Sequence, residues 1–361
     1  MRRLRVGLIG LGGVAEVHLH AYKEVKEIEV VAGAEPREDR LNEMAARWGF
    51  RGYVDFVEML EKEKLDIACV LTPARSHREV TEKAAEVGVH VLCEKPLAVT
   101  LEDAAAMVER CEKQGVKLCY GSSYRFLPAC LKAKELIGEG RLGEISLLME
   151  VSVGGQGYQN WHDLGPGHYP PGGPGGGGMG LLDHGIHLVD VFRWLAGSEV
   201  DSVVGRGNFS GDPPQTEFAT MIFQSGAVGQ LVYNEATYAA ELPYEGVFSW
   251  GGSWDVSGRL TPGGGWNPNP GSIRVYGRKG ALRIYYYANK LFSTGEGRQE
   301  QIQVLDRPMP FNFALQMESF ARRLQNGLAP EVSGMDGVKA LQVVLAAYKS
   351  WESGRVVRLS P

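Results

Sequence analysis

A lysine follows the end of what the sequence predicts to be a buried strand. Residues 91–93 are apolar and β-rich, as is typical of a strand inside a parallel sheet. Pro96 cannot continue the hydrogen bonding of a strand, so Lys95 lies just beyond the carboxyl end. Ligands bind at that edge in open α/β sheets, where an ammonium group can reach both a cofactor and a substrate hydroxyl. The alternative is an ordinary strand end with a solvated lysine.

An acid and a histidine four residues apart form a second pair capable of chemistry. Asp183 and His187 lie in a predicted helix that runs to residue 195, and their spacing puts both on one face. A histidine beside a carboxylate can act as a general base near neutral pH. One alternative is a packed core histidine with Asp183 as a helix cap. The other is a metal site formed by His184, His187 and either His162 or His168, which the loose spacing disfavours, and we expect no metal.

A glycine-rich turn between a strand and a helix predicts a dinucleotide-binding loop. Residues 4–9 form the strand, and the helix runs to residue 25. Gly10 permits the tight turn, Gly12 lets the backbone approach a pyrophosphate, and Ala15 lets the helix pack against the strand. The helix N-terminus offers N–H groups and a positive dipole end to the phosphates. The predicted phosphate-binding residues are Gly10, Gly12, Gly13 and Val14.

An acid beyond this loop predicts the contact with the cofactor's ribose. Glu35 follows the second strand, residues 28–34, and is expected to bond the adenosine ribose hydroxyls. Its carboxylate repels a 2′-phosphate and so favours NAD. Arg37 is near enough to hold that phosphate, which keeps NADP possible, although a solvent-facing arginine in the next helix is the simpler interpretation.

Strands and helices alternate through the N-terminal third, which predicts a doubly wound parallel sheet. We assign residues 1–123 to a dinucleotide-binding Rossmann domain. Thr72 and Pro73 end the fourth strand as Lys95 ends the fifth, so these residues lie at one ligand-binding edge. His77 begins the next helix, where it either contacts the cofactor or packs in the core. The predicted strands are residues 4–9, 28–34, 51–54, 66–71, 89–93 and 116–121, and the predicted helices include 55–64, 76–87 and 100–114, the last capped by Thr100.

Residues 124–361 are predicted to form a second, α+β domain that binds substrate and joins subunits. Strands in succession with flanking helices indicate a large open sheet of six or more strands, whose free face is a candidate subunit interface. The predicted helices are residues 128–137, 311–326 and 335–353, and the clearest strands are 144–153, 220–223, 228–233, 273–276 and 281–287.

Two segments of this domain have unusual composition. Residues 154–180 form a long glycine-rich loop that carries Trp161 and His162, and loops of this length are usually functional. Residues 235–269 are rich in aromatics and glycine. They could form a substrate wall, a contact between subunits or an irregular insertion.

Composition narrows the class of protein. The chain has 361 residues, 44% hydrophobic and 22% charged, as expected of a soluble protein with two domains. A formal net charge of -5 gives no indication of a nucleic-acid partner or an anionic membrane surface. We find no secretory or membrane-spanning pattern. Five cysteines, three of them in predicted buried strands, indicate reduced thiols in a cytoplasmic protein.

These motifs, taken in order, resemble those of the glucose-fructose oxidoreductase, inositol dehydrogenase and rhizopine catabolism (Gfo/Idh/MocA) family. The resemblance spans nearly the whole chain, and its acid-lysine-proline and acid-histidine pairs are far more specific than the glycine loop. It is carried by Gly10 to Ala15, Glu35, Thr72-Pro73 with His77, Glu94-Lys95-Pro96, Tyr124-Arg125-Phe126 and Asp183-x-x-x-His187.

The resemblance implies a Rossmann domain, a domain with an open, mainly antiparallel sheet, and NAD or NADP as cofactor. It implies reversible oxidation of a sugar or cyclitol hydroxyl, in which His187 accepts the hydroxyl proton, Asp183 orients His187 and Lys95 bonds the reacting oxygen. It further implies a cis Lys95–Pro96 bond. The open face of the predicted C-terminal sheet separately favours a homo-oligomer, dimer or tetramer. The implied cofactor contacts add Thr72, Pro73, His77, Glu94, Lys95 and Arg125, and the implied substrate contacts are Lys95, Tyr124, Trp161, His162, Asp183 and His187.

Two departures from the family pattern leave the substrate open. Residues 154–180 are longer and richer in glycine than expected, and His162 follows Trp161 where an arginine is frequent. One alternative function is an NAD-dependent glycoside hydrolase of the same family, which regenerates its cofactor in each cycle. Another is a non-catalytic sensor of nucleotide or sugar, which the intact Lys95, Asp183 and His187 disfavour.

Overall fold

The computed structural model describes residues 2–153, 180–208, 216–234, 272–286, 289–295, 297–304 and 311–359. These residues divide into two compact units. The first contains residues 2–123 and 311–341. The second contains the described residues between 124 and 304 together with residues 342–359.

The first unit contains a six-stranded parallel sheet with the order β3-β2-β1-β4-β5-β6. This is the strand order of a doubly wound dinucleotide-binding sheet, and it confirms the predicted fold class. The order of the strands reverses at β1: β2 and β3 lie on one side of it, and β4, β5 and β6 lie on the other. In sheets of this kind the ligand binds in the crevice outside the carboxyl ends of β1 and β4. The strands are β1 (Leu4–Ile9), β2 (Ile28–Ala34), β3 (Arg51–Tyr53), β4 (Ile67–Val70), β5 (His90–Cys93) and β6 (Leu118–Tyr120).

Helices connect these strands close to where the sequence predicts them. Thr100 caps α5 as predicted, because its hydroxyl accepts the N–H of Asp103 at 3.1 Å. The first helix is shorter than predicted and ends at residue 22 instead of 25. The connecting helices are α1 (Gly13–Tyr22), α2 (Glu38–Trp48), α3 (Phe56–Lys62), α4 (His77–Glu86) and α5 (Leu101–Lys113).

Two late segments of the chain complete the first unit. They are α8 (Phe311–Gln325) and the first part of α9 (Gly334–Ser353). The Gln316 side chain donates to the carbonyl oxygen of Tyr120 at 2.9 Å, and a backbone bridge joins Cys119 to Ser333. The edge strand β6 is therefore held by residues that follow it by about two hundred positions.

The second unit contains a nine-stranded sheet with the order β14-β13-β12-β11-β7-β10-β9-β8-β15. All its neighbouring strands are antiparallel except β7 and β10, which confirms the expected open, mainly antiparallel sheet. The strands are β7 (Ile145–Val153), β8 (Val200–Asn208), β9 (Thr216–Phe223), β10 (Val228–Asn234), β11 (Ser272–Gly277), β12 (Ala281–Tyr285), β13 (Lys290–Gly295), β14 (Arg298–Gln303) and β15 (Val357–Arg358), and the unit adds α6 (Pro128–Gly138) and α7 (Ile186–Ala196).

Several predictions fall on residues outside the described ranges. These are Trp161, His162 and His168, the glycine-rich loop apart from its last residue, and the whole aromatic segment 235–269. Within the described ranges, none of the helices combines the length and apolar character needed to cross a membrane. All five cysteines are described, and each is a buried free thiol.

Candidate functional site

The carboxyl ends of three central strands align at one edge of the parallel sheet. Ile9 of β1 pairs with Val70 of β4, and Val70 pairs with Cys93 of β5. Gly10 follows β1 directly and has a φ angle of +89°, which favours glycine. A Cβ atom at Gly10 would lie 2.9 Å from the carbonyl oxygen of Leu71, so the loop after β1 packs closely on the segment after β4.

The next part of this loop faces open space. A Cβ atom added at Gly12 or Gly13 would meet nothing within 4 Å, and Gly12 precedes the first turn of α1. Across the crevice, the hydroxyl of Thr72 is buried and forms no hydrogen bond with any described residue. An open glycine backbone at a helix N-terminus suits a pyrophosphate, so these residues fit the phosphates of a dinucleotide.

Glu35 lies beside the same loop. Its Oε2 accepts the N–H of Leu11 at 3.0 Å, and its Oε1 accepts Nε–H of Arg37 at 2.7 Å. Burial alone would raise the pKa of Glu35, but the hydrogen bonds from Arg37 and the backbone outweigh burial and hold the pKa below its usual value. The group is therefore a carboxylate, while the Arg37 side chain remains 63% exposed. A negative charge fixed at this point fits an unphosphorylated ribose better than a 2′-phosphate.

Glu94 and Lys95 follow the end of β5. Glu94 is buried, and its Oε2 accepts the backbone N–H of Lys95 at 3.0 Å. Its Oε1 lies 2.8 Å from Nε2 of His18, a residue of α1. The half-buried Lys95 precedes a cis bond to Pro96, as the family resemblance predicts. A carboxylate and a lysine therefore lie at the sheet edge that also carries the glycine loop.

His77 lies in the core beneath this edge. Its Nε2 is 2.8 Å from the carbonyl oxygen of Thr72, and its Nδ1 is 3.0 Å from that of Pro96. Pro73, the residue after Thr72, is exposed. The described contacts of the His77 ring nitrogens are thus with backbone oxygens that follow β4 and β5.

In the second unit, His187 lies in the first turn of α7 and is buried. Its ring stacks on Tyr124, with centroids 4.1 Å apart and an angle of 8° between the planes. Asp183 is half-buried in a π-helical turn, Leu181–Gly185, that directly precedes α7. The sequence predicts an ordinary helix through these residues, so the π turn is a difference between the prediction and the structure. Single π turns within helices are rare and are frequent at functional sites.

The start of this π turn is held by a buried acid. Glu217 of β9 accepts the backbone N–H of Leu181 through Oε2 at 2.9 Å. Just before the turn, a Cβ atom at Gly180 would lie only 1.9 Å from the Tyr233 ring. The position of Asp183 therefore depends on contacts made by two strands of the second unit.

Arg125 lies in the second unit and pairs with α7. Its Nε donates to Oδ2 of Asp190 at 2.7 Å, and its Nη2 pairs with Oδ1 of the same buried carboxylate. Arg193 lies 3.3 Å from Asp190 and pairs with Glu199 at 2.7 Å. The expected cofactor residue Arg125 is thus part of a buried charge network.

The predicted site residues group by unit. The first unit holds Gly10, Gly12, Gly13, Val14, Glu35, Arg37, Thr72, Pro73, His77, Glu94 and Lys95, and the second holds Tyr124, Arg125, Asp183 and His187. Among the described residues, no group of three or more His, Cys, Asp or Glu side chains is arranged to hold a metal ion.

His18 is the residue of this region that the sequence analysis misses. It contacts Glu94 although the two are 76 positions apart. The available signal was a histidine on the face of α1 that carries the buried Leu19 and Tyr22, since a polar side chain in such a place needs a partner.

Two family models match most of the chain. Residues 4–122 match the model described as an oxidoreductase family with an NAD-binding Rossmann fold, and residues 134–359 match the C-terminal alpha/beta domain of the same family.

Characterised proteins of similar sequence cover almost the full length. D-apiose dehydrogenase of Paraburkholderia graminis is 28% identical over 99% of this chain and 90% of its own. Myo-inositol 2-dehydrogenase of Thermotoga maritima is also 28% identical, over 99% of this chain and 98% of its own.

Solved structures share the fold. An oxidoreductase from Agrobacterium radiobacter, crystallised with NAD+, L-tartaric acid and magnesium, superposes with a TM-score of 0.81 at 23% identity, over 99% of this chain and 98% of that one. A levoglucosan dehydrogenase in complex with NADH and levoglucosan gives a TM-score of 0.80 at 19% identity over the full length of both chains.

Proposed function

This chain belongs to the Gfo/Idh/MocA family of NAD(P)-dependent oxidoreductases, and we propose that it transfers a hydride between a hydroxyl-bearing carbon of a sugar or cyclitol and NAD. The relatives named D-apiose dehydrogenase and myo-inositol 2-dehydrogenase support this substrate class. The observation that carries the proposal is Lys95, which follows a buried carboxylate at the same sheet edge as the open glycine loop.

The first unit would hold the cofactor. The backbone at Gly12 and Gly13 and the N-terminus of α1 would bind the pyrophosphate, and Glu35 would bind the adenosine ribose hydroxyls. The ionised Glu35 supports a preference for NAD over NADP. When bound, the nicotinamide ring supplies the acceptor for the hydride.

His187 would take the proton of the substrate hydroxyl. A hydride leaves the carbinol carbon readily only as its oxygen loses a proton, so a base is needed there. The stacked ring of Tyr124 restrains the plane of the imidazole and would also line the substrate site. Asp183, in the adjoining π turn, would orient His187.

Lys95 would donate a hydrogen bond to the same oxygen. Its ammonium group stabilises the negative charge that develops on an oxygen losing its proton. Trp161 and His162 complete the proposed substrate contacts, and His77, Glu94 and Arg125 the proposed cofactor contacts; of these, Trp161 and His162 lie outside the described residues.

The second unit would also join subunits. Along β9, Phe218 and Ile222 alternate with buried residues and lie toward the outer face of the sheet. Exposed Val204 and Tyr276 belong to strands of the same sheet. An apolar sheet face of this kind supports a homo-oligomer. The five buried free thiols support a cytoplasmic location.

The test is steady-state kinetics of His187→Ala and Lys95→Ala with a panel of sugars and cyclitols. We expect turnover to fall by about 10²–10⁴-fold in each variant, since each removes a group acting on the reacting oxygen. His187→Ala should still bind NADH with unchanged affinity. His90→Ala is the matched control, because His90 opens the strand that Lys95 follows and lies at its opposite end.

The outcomes separate the candidate functions. Full turnover by His187→Ala would remove the role assigned to that residue. Cleavage of a glycoside without net NADH would favour the hydrolase of the same family. Binding of NAD with no turnover of any glycoside or polyol would favour a sensor.

A further inference from the structure

Two buried histidines contact the segment that carries Lys95, one on each side of that residue. We propose that His18 and His77 are positioning residues that together hold residues 94–97, and with them the Lys95 backbone, in the geometry required for hydride transfer. The proposal rests on the proposed function for its kinetic consequence, but its structural part can be tested independently.

His18 acts on the amino-terminal side of Lys95. It is 1% exposed, and its Nε2 lies 2.8 Å from Oε1 of Glu94. The other oxygen of that carboxylate accepts the N–H of Lys95 at 3.0 Å. The imidazole of α1 is thus connected to the Lys95 backbone through a single carboxylate.

A buried chain of polar contacts continues from His18 into the core. Nδ1 of His18 is 2.7 Å from the Tyr22 hydroxyl, which lies 3.4 Å from Sγ of Cys69. Burial raises the pKa of Cys69 to about 12 and raises that of Tyr22 well above its usual value, so both keep their protons. If Cys69 donates to Tyr22 and Tyr22 donates to Nδ1, then Nε2 carries the proton that His18 donates to Glu94.

Glu94 is ionised in this arrangement. Burial alone would raise its pKa, but the hydrogen bond from His18, with the N–H of Lys95, outweighs burial and lowers it. A buried carboxylate deprived of such a donor is costly, which makes the His18 contact a strong restraint on Glu94.

His77 acts on the carboxyl-terminal side of Lys95. It is 1% exposed, and its Nδ1 is 3.0 Å from the carbonyl oxygen of Pro96 and 3.2 Å from that of Leu97. Its Nε2 is 2.8 Å from the carbonyl oxygen of Thr72. The ring therefore spans the gap between the segments that follow β4 and β5.

The two contacts tie Lys95 to the elements that would hold the cofactor. His18 belongs to the helix whose N-terminus follows the glycine loop, and Nε2 of His77 lies 2.8 Å from the carbonyl oxygen of Thr72, a residue that follows β4 at the same edge. Holding the backbone on both sides of a residue fixes the position of its Cα atom, from which the side chain extends. A displacement of 1 Å in a reacting group can lower a rate by about 10²-fold.

The test compares His18→Phe and His77→Phe with His18→Gln, His77→Asn and the control His90→Phe. Phenylalanine fills the space of the ring without a donor, whereas the amide in His18→Gln can replace the Nε2 donor of His18. The amide in His77→Asn lies near the position of Nδ1 and can replace that donor of His77. We expect kcat to fall by about 10²-fold in each phenylalanine variant, with the KM for substrate unchanged, and to recover in part in His18→Gln and His77→Asn. His90 is a suitable control because its Nδ1 accepts the N–H of Lys117, away from this segment.

A second readout needs no turnover. Lys95 is labelled by brief exposure to acetic anhydride, with and without NAD+, and the modified peptide is quantified by mass spectrometry. We expect NAD+ to shield Lys95 in the wild type and in His90→Phe, and this shielding to be lost in the two phenylalanine variants, whose other lysines label as before.

The outcomes are distinct. Wild-type kcat and shielding in folded His18→Phe and His77→Phe would overturn the proposal and leave the proposed function standing. If the wild type oxidises no polyol, the proposed function fails and the labelling still decides the inference. If the phenylalanine variants do not fold, His18→Leu and His77→Leu, which also lack a donor, replace them, and undiminished shielding there would overturn the proposal.

Discussion

At the scale of single residues, Gly10 and Gly12 are two positions apart and require glycine for different reasons. Gly10 has a φ of +89°, and a side chain there would strike the backbone of Leu71 and Thr72. Gly12 has ordinary extended backbone angles and open space around it. The folded chain constrains Gly10, whereas the proposed pyrophosphate would constrain Gly12.

We predict that Gly10→Ala lowers the free energy of unfolding by about 1–3 kcal/mol, because a side chain is forced into a left-handed conformation against backbone atoms. Gly12→Ala should unfold like the wild type and bind NADH more weakly, since its methyl group occupies the pyrophosphate's approach. Urea denaturation and NADH fluorescence titration measure the two effects. Equal stability of the two variants would contradict this interpretation.

Much of the candidate site can be predicted from residues that are close together in the sequence. The turn at Gly10, the acid Glu35 and the strand end at Lys95 each depend on neighbours close in sequence, and the structure puts each of them at the carboxyl edge of the parallel sheet. The partnership of His18 with Glu94 depends on two elements folding together, and no local pattern encodes it. The stacking of Tyr124 on His187 was likewise beyond local patterns.

At the scale of elements, the sequence analysis misses the hairpin at one edge of the large sheet. Residues 290–295 and 298–303 form an edge hairpin, and β14 has the sequence Arg-Gln-Glu-Gln-Ile-Gln with a largely exposed pattern. Such a strand is defined by its hydrogen bonds to β13 and not by burial. The buried strands of the first unit, which have continuous apolar runs, were predicted within three residues at either end.

The capping of α5 gives a test at this scale. We predict that Thr100→Ala lowers the free energy of unfolding by about 1 kcal/mol, because the N–H of Asp103 loses its acceptor at the helix start. Thr100→Ser is the matched control and should retain the bond and the stability. Both are measured by urea denaturation, and an unchanged midpoint in Thr100→Ala would show that water replaces the cap without cost.

At the scale of the whole molecule, the large sheet of the second unit presents apolar side chains on one face. Val204 pairs across the sheet with Thr220, and Ile222 lies two residues further along on the same side of β9. Val228 stands opposite Ile222 on the next strand. Val204 is 38% exposed and Ile222 is 40% exposed, which is unusual for neighbouring aliphatic residues unless another surface covers them.

We predict that the double variant Val204→Asp, Ile222→Asp shifts the protein from an oligomer to a monomer, because two carboxylates would be buried without partners. Light scattering after size-exclusion chromatography measures the mass. Val87→Asp, at an exposed valine of the first unit, is the control and should keep the wild-type mass. A monomeric wild type, or an unaltered mass in the double variant, would refute this interface.

The first unit is discontinuous along the chain, and this has a consequence for its biosynthesis. Phe313 of α8 packs edge-on against His18 at 4.8 Å, and α8 also supplies Gln316 to the last parallel strand. The ribosome adds these two residues only after residues 2–123 and most of the second unit have been made. The nascent first unit therefore has part of its interior uncovered during that interval, and transiently exposed apolar surface of this kind is prone to aggregation.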